Sequence, residues 1–119
     1  MTLGDAFYFN HPAAHRHLWV ATGGPKEDGF VIFNLTTVRD GCDQTCVLNV
    51  GDHPTIDRPT CVSYLRGREL PIDFATSHAH LISQQQPFGR TVLRRIQDGA
   101  LASPFTIGRF QKIVKASLV

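Results

Sequence analysis

Apolar residues fall in short runs over the first two thirds of the chain and at helical spacing over the last third. Residues 3–9 carry Phe7, Tyr8 and Phe9 and stop at Asn10-His11-Pro12, a turn signal. They predict a strand or strand-like arm, with His11 as a turn residue. Leu18-Trp19-Val20-Ala21-Thr22 reads as a buried strand. The loop 23–29 is made of Gly, Pro and charged residues, and Phe30-Val31-Ile32-Phe33-Asn34-Leu35-Thr36 follows it. This second run is β-branched and aromatic and apolar at most positions on both faces, as in a central strand, so the two predict a hairpin. After a polar loop over 38–45 come strands over 46–50 and 60–65, the latter alternating small and bulky residues. Between them lies the turn Gly51-Asp52-His53-Pro54. Arg66-Gly67-Arg68-Glu69 reads as a further turn, and 70–74 as a short strand or edge segment.

Residues 76–86 fit one helical turn or a loop. Val92, Leu93, Ile96 and Leu101 then recur at helical spacing, which predicts a helix over 91–101 despite Gly99 near its end. Ser103-Pro104 has the form of a helix start, with Ser103 as cap and Pro104 in the first turn. Phe105, Ile107, Phe110, Ile113 and Val114 suit a second amphipathic helix interrupted by Gly108. The expected fold is α+β and mainly β. It is a small antiparallel barrel over 1–74, five or six strands in sequential order, then one or two helices over 88–116, all in one domain of 1–119.

Composition narrows this picture a little. At 119 residues, 42% hydrophobic and 18% charged, the chain can bury a real core. The net charge of +2 tolerates an anionic partner without demanding one. Neither a secretory signal nor a run of about 20 apolar residues is visible. With three cysteines, an odd number, the simplest expectation is a cytoplasmic protein with reduced thiols and no membrane partner.

The candidate chemistry begins at the Gly51 turn. Gly51 can take positive φ, Pro54 fixes its own φ, and His53 before it is pushed towards an extended conformation. A stiff turn can hold an imidazole in place for proton transfer near neutral pH. It can equally be a plain turn whose Asp52 hydrogen-bonds its own backbone. In the hairpin, His15-Arg16-His17 and Thr36-Thr37 lie near one rim, which the Gly51 turn could join. Cleavage of an RNA phosphodiester needs a base for the 2′-hydroxyl, a proton donor for the leaving oxygen and a cation for the phosphorane. Histidine and arginine supply these without a metal, and a threonine hydroxyl can hold a phosphate oxygen. Catalytic candidates are therefore His53, His17, Arg16, Thr36 and Asp52. Thr37, Ser63 and Tyr64 are candidates for substrate binding, with Tyr64 able to stack on a base. The plain alternative is that polar residues gather at strand ends in any barrel, one that binds a protein or nucleic acid without catalysis.

Other groupings carry less. Cys42, Cys46, His53 and Cys61 have poor spacing for zinc, and Cys46 and Cys61 sit in apolar strands where free cysteine is a common core residue. His78 and His80 would share a face only on a strand. Arg90, Arg94, Arg95, Arg109, Lys112 and Lys115 could form one positive face, although a solvated helix surface is the default. No cofactor and no metal is implied.

The segments His-Arg-His-Leu18-Trp-Val-Ala-Thr and Phe30-Val-Ile-Phe-Asn-Leu-Thr36-Thr37, followed later by a C-terminal helix, resemble the MazF/PemK-like toxins of bacterial toxin–antitoxin modules. Those proteins are SH3-like barrels. Arg16 or His17 falls where that family places its catalytic arginine, and Thr36 or Thr37 where it places its catalytic threonine or serine. The family's Arg-Pro pair before the first core strand and its proline before the hydroxyl pair are absent here. The resemblance implies a metal-independent endoribonuclease acting on single-stranded RNA, dimeric and neutralised by a cognate antitoxin. The turn with Ser63 and Tyr64 also resembles a Gly-Asp-His-Pro signature of small bacterial proteins, which brings Asp52, His53, Ser63 and Tyr64 together.

Overall fold

The computed structural model describes residues 1–10, 17–27 and 29–119. Six antiparallel strands, β1 (Ala6–Phe9), β2 (Trp19–Lys26), β3 (Gly29–Thr37), β4 (Val47–Leu48), β5 (Thr60–Pro71) and β6 (Ile82–Gln85), form a half-barrel sheet in the order β4-β5-β3-β2-β1-β6. A helical turn, α1 (Phe74–Ser77), and a 3₁₀ turn over Ala79–Leu81 precede β6. Helices α2 (Arg90–Ala102) and α3 (Gly108–Ala116) close the chain. No helix among the described residues is long and apolar enough to cross a membrane.

The fold is the α+β arrangement expected, with local differences that have physical causes. Strand order is not sequential. β4 is two residues long, so the much longer β5 pairs along β3 and leaves β4 on its far side. The turn expected at Arg66-Gly67-Arg68-Glu69 is a bend inside β5. Pairing with β3 continues to Pro71↔Gly29, with a register shift between Ile32 and Asn34. Gly67 lets the strand pack closely here, because a Cβ there would lie 2.6 Å from Phe33 Cε1 and 2.9 Å from Phe110 Cδ2. The helix start expected at Ser103-Pro104 lies four residues later, with Ile107 at the cap and Gly108 first in the helix. Ser103 Oγ instead accepts the Phe105 N–H at 3.1 Å and donates to Asp43 Oδ2 at 2.6 Å, which closes a turn.

Alternation along the strands gives the sheet two apolar faces. Val20, Val31, Phe33, Leu35, Val62 and Tyr64 face the helices and pack with Leu93, Ile96 and Ala100 of α2 and Phe110, Ile113 and Val114 of α3. On the opposite face Phe7, Trp19, Ala21, Phe30, Ile32 and Leu70 form a second cluster that Phe9, Phe74 and Ile82 help to cover. That cover stops short of Thr36 and Ser63, and the outer surface there is a groove.

Candidate functional site

The Gly51 turn is built as an anchor. Gly51 has φ +102°, so a side chain there would be strained. Asp52 accepts the Asn49 N–H at 2.8 Å and pairs with Arg95 of α2 at 3.1 Å, while the same guanidinium donates to the Val47 carbonyl at 3.1 Å. His53 is 4% exposed and its ring packs against Phe88 at 4.4 Å between centroids. Its Nε2 lies 2.5 Å from the Gln86 carbonyl oxygen, which can only accept, so that nitrogen carries the proton. Nδ1 then accepts from the Thr55 hydroxyl at 2.8 Å and the Thr55 N–H at 3.2 Å. Both nitrogens of the neutral ring are engaged by the fold. His53 and Asp52 thus tie the loop after β4 to α2 and to the segment before it, rather than facing the hairpin rim.

Tyr64 is likewise placed in the core rather than where a base could stack. It is 1% exposed, donates to the Ile96 carbonyl at 2.7 Å and meets Phe33 edge-on. Burial, with Cys46 beside it, pushes the phenol well above its ordinary range.

The remaining candidates do converge. A groove of about 650 Å³ runs over the outer face of β3 and β5. Register places Asn34 opposite Ser63 and Thr36 opposite Cys61, and these four side chains make its floor. The 39–43 loop forms one wall, carrying Arg39 and Cys42. Arg66 and the half-exposed ring of Phe105 stand on the rim, with Leu65. His17 lines the groove and an adjoining cleft that also reaches Thr36 and Thr37. Its Nδ1 lies 3.2 Å from the Leu35 carbonyl, to which Nδ1–H donates. Asn34 is 5% exposed, and its Oδ1 has no hydrogen-bond partner among the described residues.

The groove also holds the carboxylates of Asp40 and Asp43. Burial alone would raise the Asp43 pKa, but hydrogen bonds from Ser103 and from the Thr45 hydroxyl and N–H outweigh it and hold the carboxyl below its ordinary range. Arg16, together with His11 and His15, lies outside the described residues. His78 stacks on Phe74 at 4.7 Å, with the His80 ring 6.5 Å away. No group of three or more His, Cys, Asp or Glu among the described residues could hold a metal ion. Of the C-terminal basic residues, Arg94 pairs with Asp98, Arg95 with Asp52 and Arg109 with Glu69, as on ordinary solvated helix faces.

Asn34, Arg39, Arg66 and Phe105 were not among the residues the sequence singled out. Asn34 shares a strand face with Thr36 by simple alternation, a signal open to reading. Arg39 and Phe105 are brought to one groove from 66 positions apart, and no local pattern announces that. No protein-family model, curated protein or solved structure matches this chain.

Proposed function

We propose that this chain is a toxin-type endoribonuclease that cleaves single-stranded RNA without a metal, and that its site is the β3–β5 groove. One observation carries the reading. The groove collects an imidazole (His17), two hydroxyls (Thr36, Ser63) and two guanidinium groups (Arg39, Arg66), with Asn34 on its floor. Phe105 offers a ring face on which a base can stack, the means by which single-stranded RNA is generally read.

In the reaction, His17 removes the 2′-hydroxyl proton. The 2′-oxygen attacks the adjacent phosphorus, and the 5′-oxygen leaves with a proton from solvent, so that a 2′,3′-cyclic phosphate remains. Arg39 and Arg66 offset the charge of the phosphorane. Thr36 and Ser63 hold a non-bridging oxygen. Following the family resemblance, the partners are single-stranded RNA, a cognate antitoxin and a second copy of the chain. A second reading, a barrel that binds RNA without cutting it, draws on the placement of His53, which leaves the groove without the second imidazole expected beside His17.

Incubation of a long single-stranded RNA with the purified protein in EDTA tests the proposal. Wild type should cleave, and His17→Ala should lower the rate by about 10²- to 10⁴-fold, the usual contribution of a general base. Cleavage unaffected by His17→Ala would sink the assignment. Binding with no cleavage would leave the second reading in possession.

A further inference from the structure

The ribonuclease reading uses none of the three cysteines, and two of them lie in the groove. Cys61 is on its floor and Cys42 on the facing loop, close enough for each thiol to act on the other. Both are unbridged. Cys46 is buried elsewhere, among the side chains that pack on α2 and beside Tyr64. The partners in the groove differ in access. Cys42 is half-buried on an open turn, where its sulfur accepts the Arg39 N–H at 3.5 Å, whereas Cys61 is 1% exposed. The turn has room to move at its tip: Gly41 has φ +82° and nothing lies within 4 Å of where its Cβ would be.

We propose that Cys42 and Cys61 are a redox pair, an attacking and a resolving thiol, whose disulfide locks the 39–43 wall onto the floor of the groove and closes it. The oxidant is a peroxide. The Cys42 thiolate attacks one peroxide oxygen and the O–O bond breaks. The second oxygen leaves as hydroxide and takes a proton to become water, and Cys42 becomes a sulfenic acid. Cys61 then attacks the Cys42 sulfur. The S–S bond forms as the S–O bond breaks, and the Cys61 proton leaves with the hydroxyl as a second water. Two thiols are oxidised and one peroxide is reduced to two waters.

The division of labour follows from the surroundings. Burial and the neighbouring Cys42 thiol push Cys61 up to about 12, so it stays protonated and out of reach until a sulfenic acid forms beside it. On the outer side, Cys42 stands half-buried on the open turn with a backbone N–H on its sulfur, where a peroxide can reach it first. Formation of the disulfide is independent of the ribonuclease reading; its effect on RNA cleavage rests on that reading.

The test treats the reduced full-length chain with hydrogen peroxide, alkylates remaining thiols and maps the peptides without reductant. The expected result is a loss of about 2 Da per chain, two hydrogens, with Cys42 and Cys61 in one linked peptide that dithiothreitol separates. Cys42→Ser and Cys61→Ser should each abolish the link, and the first lies on an open turn where folding is not at stake. Cys42 driven to sulfinic acid with Cys61 still alkylatable after unfolding, or a Cys42–Cys42 link between two chains, would overturn the proposal. RNA cleavage measured alongside should stop on oxidation and return with dithiothreitol in wild type, while Cys42→Ser is indifferent to peroxide. If reduced wild type does not cut RNA, the ribonuclease reading fails alone and the peptide map still decides the redox pair.

Discussion

His17 and His53 both lie against a backbone carbonyl, and what separates them is burial. His53 has both nitrogens taken inside the protein at 4% exposure, while His17 stands in an open groove. Substituting His53 should therefore act on stability. His53→Ala strands the Gln86 carbonyl and empties the space under Phe88, and urea unfolding should register a loss of about 2–3 kcal/mol. His17→Ala should act on the RNA reaction. Asp43 carries a pH dependence whose sign is fixed by its partners. Its folded pKa lies below the ordinary 3.8, so its contribution is complete above that value and disappears as pH falls through the folded one. Ser103→Ala removes one of the hydrogen bonds responsible. Circular dichroism during acid titration should show the variant unfolding at a higher pH than wild type.

Helix α2 is where sequence reading and structure meet most instructively. Its periodicity announced the helix within one residue at either end: of the positions that carried it, Leu93 and Ile96 are buried in the core and Val92 and Leu101 pack against it. Gly99 weakens that signal as sequence, yet the fold requires it. A Cβ at Gly99 would run into the Tyr64 hydroxyl and come within 2.9 Å of Cys46 Cβ. Gly99→Ala, a stabilising change in most helices, should here cost about 1–3 kcal/mol, measured as a drop in melting temperature against wild type. Gln97, on the same helix, is fully buried and was not legible at all. Its amide donates to the Thr22 and Ser117 carbonyls at 3.0 and 2.9 Å and its oxygen accepts the Val119 N–H at 3.1 Å, which sews the chain end to β2. Short-range pattern reports which face of an element is apolar. It does not report which distant backbone a buried amide meets, and β5 shows the same limit. Its Arg-Gly-Arg-Glu segment has the composition of a turn, and only the long pairing with β3 keeps it a strand. The candidate site was legible to the same degree: Thr36 and Ser63 sit on the strand faces that alternation assigns, whereas their neighbours Arg39, Arg66 and Phe105 come from loops and a bend.

At the scale of the molecule, a half-barrel backed by two helices leaves one part of its outer sheet face uncovered, and the groove occupies it. The whole chain carries only +2, so any attraction for RNA must come from local placement of cations and not from overall charge. A guanidinium that contacts phosphate should appear in the salt dependence of binding. For single-stranded RNA, Arg66→Ala should reduce the slope of log K against log salt by about 0.7, one phosphate contact's share, and lower affinity similarly across sequences. The central claim is that RNA meets this groove and not the Gly51 turn. The most direct measurement is a backbone amide chemical-shift titration of the reduced protein with a short 2′-O-methyl RNA, which lacks the 2′-hydroxyl needed for cleavage. The largest shifts should fall on Asn34, Thr36, Ser63, Arg66 and Phe105, with 51–54 little changed. Shifts confined to 51–54 and 86–89, or no shifts at all, would contradict it.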